Sequence, residues 1–453
     1  MQRVIEYLGE RRGQHLAWLT ELCRIPSIST QEEHKPDVRR AVEWMHALCR
    51  RIGLAARVHD TPGHPILTAD WLAAPHAPTY MAYGHVDVQP TGDLSLWDHD
   101  PFDPQVKDGW LIARGSADNK GQILVYLRAA QAWLETEGRL PVNLRLLIEG
   151  EEEIGSPNLM PFVRRHRDEL RCAGILISDT GLFRDGWPTI TTGTRGLVYK
   201  EVGLSGPKHD IHSGCGGPVV NPGNVLARLI ASLHDSAGRV NIPGFYDDVI
   251  EPPDVERRQL ASLPFDEREH AAQLGVPGFG AGEPGWSILE LGTVRPTLDV
   301  NGIYGGYTRQ GASTIIPATV GAKLSMRLVP NQDPDRIAAL FDAAIRARVP
   351  ASVSLEIQDH SRAWPYVARL DSPLLQAATR ALREAFDHEV AFLRSGGTLP
   401  ILPQFRHELG ADSVLLGLAS PRCNAHGPNE MVLLADLDRG AEAVARLLAY
   451  LAE

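Results

Sequence analysis

The chain has 453 residues, 43% of them apolar and 22% charged, and a net charge of −11. That length exceeds what one hydrophobic core supports, so at least two domains are expected, and the acidic balance argues against a nucleic-acid binder, which carries a basic stripe. Five scattered cysteines (Cys23, Cys49, Cys172, Cys215 and Cys423) without a C-x-x-C pair fit reduced thiols in a cytoplasmic protein, and no apolar run reaches membrane-spanning length.

The N-terminal stretch to about residue 29 sets Glu6, Glu10 and Arg11 among apolar positions, which predicts an amphipathic helix rather than a signal peptide. From residue 37 strand-like and helix-like segments alternate. A helix over "DVRRAVEWMHALCRRIG" ends at Gly53, and the strand "TYMAYGHVDV" (79–88) follows. After a loop rich in Asp, Pro and Trp comes the helix "ADNKGQILVYLRAAQAWLETEG", stopped by Gly138. The strand "VNLRLLIE", a short helix near "NLMPFVRRHRDEL" and the strand "AGILISD" complete the series. Such βα alternation predicts a mainly parallel sheet with helices on both faces. Beyond residue 197, "GLVYKEVGLSG", "GAKLSMRLVP" and "SVSLEIQDH" alternate like half-buried strands and flank helices at "NPGNVLARLIASLHDSAG" and "DPDRIAALFDAAIRARV". This is an α+β pattern inserted in the α/β one. Residues 240–310, rich in Pro and Gly, give no placeable elements. After residue 369 a helix ("SPLLQAATRALREAFD"), a strand ("DSVLLGL") and a last helix ("LDRGAEAVARLLAYLAE") resume the first pattern. The expected domains are therefore 1–196 with 369–453, and 197–368.

Chemistry-bearing residues fall where these strands end. His85 and Asp87 close the strand from Thr79, and Asp118 precedes a helix in "GSADNKGQ". Glu149, Glu151, Glu152 and Glu153 follow the next strand in "EGEEEIGS", Asp179 ends another in "ISDTG", and His426 follows the last in "CNAHGPNE". In open α/β sheets the ligand crevice lies outside the carboxyl ends of the strands. Carboxylates gathered there repel one another, and some must protonate unless divalent cations intervene. Two His with three carboxylates suit a pair of zinc-like ions better than calcium, and a spare carboxylate can then act as general base. Singly, each motif has a plainer explanation: a polar strand end, a solvated helix start, a cap at Asp118 or a turn at Asp179. Their joint, ordered occurrence is what those explanations do not cover.

The series "GHVDVQP", "GSADNKGQ", "EGEEEIGS", "ISDTG" and "NAHGPNE" resembles that of the co-catalytic dizinc peptidases, the aminoacylase, carboxypeptidase and dipeptidase superfamily. With "HDIHSG", "SMRLVPNQ" and "RSGGTLP" it is most similar to the carnosinase-like cytosolic dipeptidases. The resemblance implies that His85 and Asp179 hold one metal ion and Glu153 and His426 another. Asp118 would bridge them, joined to Asn119 by a cis peptide. Asp87 would orient His85, and Glu152 would be general base on a metal-bridging water. Within "EGEEEIGS" the residues alone do not separate the glutamates; the family pattern assigns them.

The resemblance also makes 197–368 a lid and dimerisation domain. From it His212 would reach the partner subunit's site and Arg327 would bind the substrate's terminal carboxylate. His212, three residues after His209, also reads as a polar helix start, and Arg327 also reads as a structural salt bridge. Ser395, before Gly396 and Gly397, stands where these dipeptidases carry an acidic residue, which leaves amine-end preference open. The activity implied is peptide-bond hydrolysis in short peptides by a homodimer with two divalent ions per chain, zinc first, manganese or cobalt otherwise. The alternatives are an N-acyl or N-carbamoyl amino acid amidohydrolase, a carboxypeptidase, or a non-catalytic metal-binding scaffold.

Overall fold

The computed structural model describes residues 1–280 and 282–453. The chain forms two compact units: Met1–Thr192 with Ala368–Leu393 and Gln404–Glu453, and Gly193–Val367 with Arg394–Pro403. The segment carrying Ser395, Gly396 and Gly397 thus belongs to the second unit.

In the first unit the strands lie in the order Ala55–His59, Ile66–Trp71, Asn143–Glu149, Thr79–His85, Gly174–Gly181, Ser413–Ala419, Thr189–Thr194. The middle four are parallel to one another, and the outer ones join antiparallel. Parallel strands are covered on both faces, which explains why "LRLLIE" and "SVLLGLA" are apolar without alternation and buried along nearly their whole length. Successive strand residues face opposite ways. On the Thr79–His85 strand, a Cβ at Gly84 would point at Asn119 and Ile123, whereas the Tyr83 ring meets Phe405 edge-on at 5.3 Å. The helix Gly121–Glu137 therefore lies on one face and the helix carrying Phe405 on the other. Gly138, at φ 69°, ends the Gly121–Glu137 helix in the left-handed turn that a glycine best adopts.

Two elements differ from expectation. The N-terminal helix breaks at Arg11 into Gln2–Glu10 and Arg12–Cys23. The strand expected over 79–88 stops at His85, where the chain leaves the ladder.

The second unit holds a four-stranded antiparallel sheet, ordered Thr297–Gly305, Thr319–Leu328, Gly196–Ser205, Ser354–Ala363. Its alternation buries Val198, Val202, Leu324 and Met326 with Ile337 and Phe341 of the helix Pro334–Arg348. The region without placeable elements contains the short helices Asp254–Ser262, Glu267–Gln273 and Ile288–Thr293, then the strand Thr297–Gly305. That strand lies at the sheet edge and is mostly exposed, so no apolar alternation betrays it.

Two strands that lead to the functional loops pass unusually close. A Cβ on Gly417 would lie 2.1 Å from the backbone oxygen of Gly181. Backbone cannot yield as a side-chain tip does, so Gly417→Ala is expected to lower stability by about 1–3 kcal/mol through overpacking. Urea unfolding at equilibrium checks this; an unchanged midpoint contradicts it.

Candidate metal centre

His85 ends its strand fully buried, paired with Glu149 across the ladder. Its Nδ1 faces the backbone oxygen of Asp87 at 3.1 Å and the carboxylate Oδ1 at 3.4 Å, leaving Nε2 turned the other way. Asp87 lies past the strand end. Its carboxylate accepts from Ser29 Oγ at 2.7 Å and from the backbone N–H groups of Glu152 at 3.2 Å and Glu153 at 3.0 Å. One buried side chain thereby ties the end of the His85 strand to the glutamate run.

His85 Nε2 lies 3.2 Å from Asp118 Oδ1 and 3.8 Å from Asp179 Oδ1. Asp118 breaks the helical geometry of Ser116–Lys120 with φ −123° and ψ 96°, and its peptide bond to Asn119 is cis. Asn119 Nδ2 donates to Asp179 Oδ1 at 3.0 Å, holding the two acids in register. The other oxygen, Asp118 Oδ2, lies 3.0 Å from His426 Nε2, which is also 3.4 Å from Glu153 Oε2. Two sets of donors result, His85–Asp118–Asp179 and Asp118–Glu153–His426, each with its atoms within 4.8 Å of one another. They share Asp118.

The electrostatics of the cluster call for cations. Burial raises the carboxyl of Glu152 well above the usual range and raises that of Asp179. Burial works the same way on Asp118, yet the imidazoles of His426 and His85 hold its carboxyl below the ordinary value. In return Asp118 and Glu153 push His426 up to about 10. Protonated imidazole is one way to supply the positive charge; a divalent ion is the other. The residues fit the second: His85 Nε2 and Glu153 Oε1 are buried without a hydrogen-bond partner, and mixed imidazole and carboxylate donors suit zinc, manganese or cobalt better than calcium.

The glutamate run is sorted by its partners. Glu149 accepts from the Tyr83 hydroxyl at 2.5 Å and from Ser156 Oγ at 2.8 Å, and burial pushes its carboxyl up to about 8. Glu151 accepts from the backbone N–H of His64 at 2.7 Å and from Asn158 Nδ2 at 2.9 Å. Both are engaged in scaffold. Glu153 joins the second donor set, steadied by Gln89 Nε2 at 2.8 Å, and Glu152 belongs to neither set.

His212, Arg327, Ser395, Gly396 and Gly397 lie in the second unit and in neither donor set. His212 is exposed, and its Nδ1 accepts from the Gly214 N–H at 2.9 Å, so the ring's proton sits on Nε2. Arg327 is half-buried, donates to Thr398 Oγ1 at 2.6 Å and feels the Asp299 carboxylate electrostatically. The Ser395–Thr398 turn is held by Arg195, which donates from Nε to Gly396 O at 2.8 Å and from its backbone N–H to Gly397 O at 2.9 Å. Reading the sequence missed Arg195, Ser29, Gln89 and Arg114. It also gave no role to Glu430, although Glu430 closes the quoted "NAHGPNE".

The sequence pattern of Peptidase family M20/M25/M40 matches residues 81–450. The Beta-Ala-His dipeptidase of Homo sapiens is 30% identical over 453 residues, spanning 95% of this chain and 89% of that relative. The Cys-Gly metallodipeptidase of Schizosaccharomyces pombe is 26% identical over 471 residues, spanning 100% and 98%. Among solved structures, the metallo-carboxypeptidase Sso-CP2 of Sulfolobus solfataricus superposes with a TM-score of 0.86 at 32% identity, covering 97% of this chain and 99% of that one.

The division within the glutamate run is open to test. Glu151→Ala leaves three buried or half-buried donors unpaired, the backbone N–H groups of His64 and Asn158 and the Asn158 amide, and is expected to cost about 1–3 kcal/mol of stability while divalent-ion uptake stays at the wild-type level. Urea unfolding and metal analysis of the same preparation check both halves. Loss of metal with unchanged stability contradicts the assignment.

Proposed function

The chain belongs to Peptidase family M20/M25/M40, and from that premise we propose that it hydrolyses the peptide bond of short peptides, dipeptides above all, as a cytoplasmic homodimer with two divalent ions per chain. The observation that carries the reading is the pair of donor sets sharing Asp118, with Glu152 beside them and in neither. His85 and Asp179 would hold one ion, Glu153 and His426 the other, and Asp118 both; zinc is the first choice, manganese or cobalt the alternatives. The ions supply Lewis-acid activation of water and of the scissile carbonyl.

Glu152 takes the proton of the attacking water and delivers it to the departing amine nitrogen. Burial raises the proton affinity of its carboxyl, which suits a group that must both accept and return a proton near neutral pH. Asp87 keeps the Glu152 and Glu153 amides and the His85 ring in place. The region 197–368 serves as lid and dimerisation domain. The partner subunit's His212 donates from Nε2 to the developing oxyanion, and Arg327 takes the peptide's terminal carboxylate as a guanidinium does best. The Ser395–Gly397 turn lines the substrate.

The likeness to the Sulfolobus solfataricus enzyme favours a second reading, carboxypeptidase action on longer peptides with the same ions and base. Steady-state kinetics on a panel of dipeptides, longer peptides with free carboxyl termini, and N-acetyl or N-carbamoyl amino acids tests the proposal. Dipeptides are expected to have the highest kcat/KM. Exclusive turnover of longer peptides selects the carboxypeptidase, and exclusive turnover of acylated amino acids overturns peptide hydrolysis.

Glu152→Gln is expected to keep its ions and lose about 10²–10⁴-fold in kcat, whereas Glu153→Gln loses ion affinity; exchanged phenotypes contradict the assignment. Subunit mixing tests His212. A heterodimer of Glu152→Ala and His212→Ala chains is expected to regain about half the wild-type activity, since removing an oxyanion donor costs roughly 10²–10³-fold in kcat and one of its sites is whole. Activity no greater than that of either homodimer contradicts action between subunits.

A further inference from the structure

The loop bearing His426 is tied on either side of that residue, by Met431 N–H to Cys423 O at 2.8 Å and by Asn429, whose side chain accepts the Asp98 N–H at 2.9 Å and donates to Leu96 O at 3.3 Å. His426 is half-exposed, sits at φ 63°, and lies between the strands Ser413–Ala419 and Met431–Leu433. The turn bearing Asp118 interrupts a helix. These two segments supply two of the three donors in the Asp118–Glu153–His426 set.

We propose that the buried pair Arg114–Glu430 is the positioning element that sets Asp118 and His426 at their mutual distance, and so governs affinity for the ion they hold. Both side chains are 1% exposed and lie 2.7 Å apart, Arg114 Nη1 to Glu430 Oε2. Glu430 Oε1 accepts the backbone N–H of Asp118 at 3.0 Å and that of Ala117 at 3.0 Å, while Oε2 also accepts the Gly115 N–H at 2.9 Å. Arg114 Nη2 donates to the backbone oxygen of His426 at 3.2 Å and to that of Pro90 at 3.2 Å. The pair therefore grips the Asp118 turn with one member and the His426 loop with the other. It reaches, through Pro90, the segment that continues from Asp87.

Backbone pairing brings the two members together. Met431–Leu433 runs antiparallel to Trp110–Ile112, and Ala113 N–H donates to Glu430 O at 2.9 Å. The guanidinium also lies 5.3 Å from the centre of the Trp97 ring, which fixes its plane. A buried ion pair contributes little net stability once its desolvation is counted. What it supplies here is geometry, as the partners that orient metal ligands do elsewhere.

The inference rests on the two-ion reading above, and the test separates the two. Zinc is titrated calorimetrically into the metal-free full-length protein against a competing chelator. Wild type is expected to bind two ions; a single ion overturns the two-ion reading before any variant is examined. The affinity missing in His426→Ala identifies the ion in question. Arg114→Lys keeps a charge for Glu430 but loses the fork to His426 and Pro90, and is expected to weaken that ion by about 10–100-fold and leave the other near wild type. Glu430→Gln is expected to weaken both, because Asp118 is shared. Arg295→Met breaks a comparably buried pair, Arg295–Glu283, in the second unit and is the control: its stability falls while both affinities stay. Arg114→Lys with both affinities intact, or altered no more than in Arg295→Met, overturns the proposal. If Glu430→Gln does not fold, the Arg114→Lys titration decides alone.

Discussion

Asp118 presents its two oxygens to two different imidazoles, His85 at 3.2 Å and His426 at 3.0 Å, and the first unit is built around that shared carboxylate. One face of the requirement is reach: a carboxylate that serves two ligand sets must be fixed in both position and plane. The chain meets it by breaking a helix at Asp118 and by tying the turn from the side through Asn119 to Asp179. The other face is charge. Asp118, Asp179, Glu152 and Glu153 stand together with Asp87 behind them, and burial, joined by the neighbouring carboxylates, raises the proton affinity of Glu152 and Asp179. In the reading proposed above, a pair of divalent ions would resolve that repulsion and turn it into binding energy.

The parallel sheet makes the gathering possible. Strands that run the same way deliver their ends to one edge, so His85, the glutamate run, Asp179 and the loop to His426 arrive there from four separate stretches of chain. Each strand end is then trimmed by a local device. The Thr79 strand stops at His85 so that Asp87 can turn back to accept from Glu152 and Glu153.

These differences mark what sequence can and cannot disclose. His85, Asp179 and the acidic run were legible because apolar strands frame them, and Asp118 because a helix starts just after it. The resemblance gives Asp87 the role of orienting His85; Asp87 meets that ring from beyond the strand and accepts from the glutamate amides as well. Arg114 and Glu430 meet 316 residues apart, a pairing set by strand contacts between Met431–Leu433 and Trp110–Ile112 that no local pattern announces. The glutamates of "EGEEEIGS" look alike in sequence. Only their partners, Tyr83 for Glu149 and His64 with Asn158 for Glu151, divide scaffold from site. In the second unit the half-buried strands read clearly, while Thr297–Gly305 escaped because an exposed edge strand has no apolar face to alternate.

Anomalous diffraction from crystals grown with zinc, recorded on either side of the metal's absorption edge, tests the shared-carboxylate account most directly. Two peaks per chain are expected, one bonded to His85, Asp118 and Asp179 and one to Asp118, Glu153 and His426. A single peak, or two peaks of which only one touches Asp118, would contradict it.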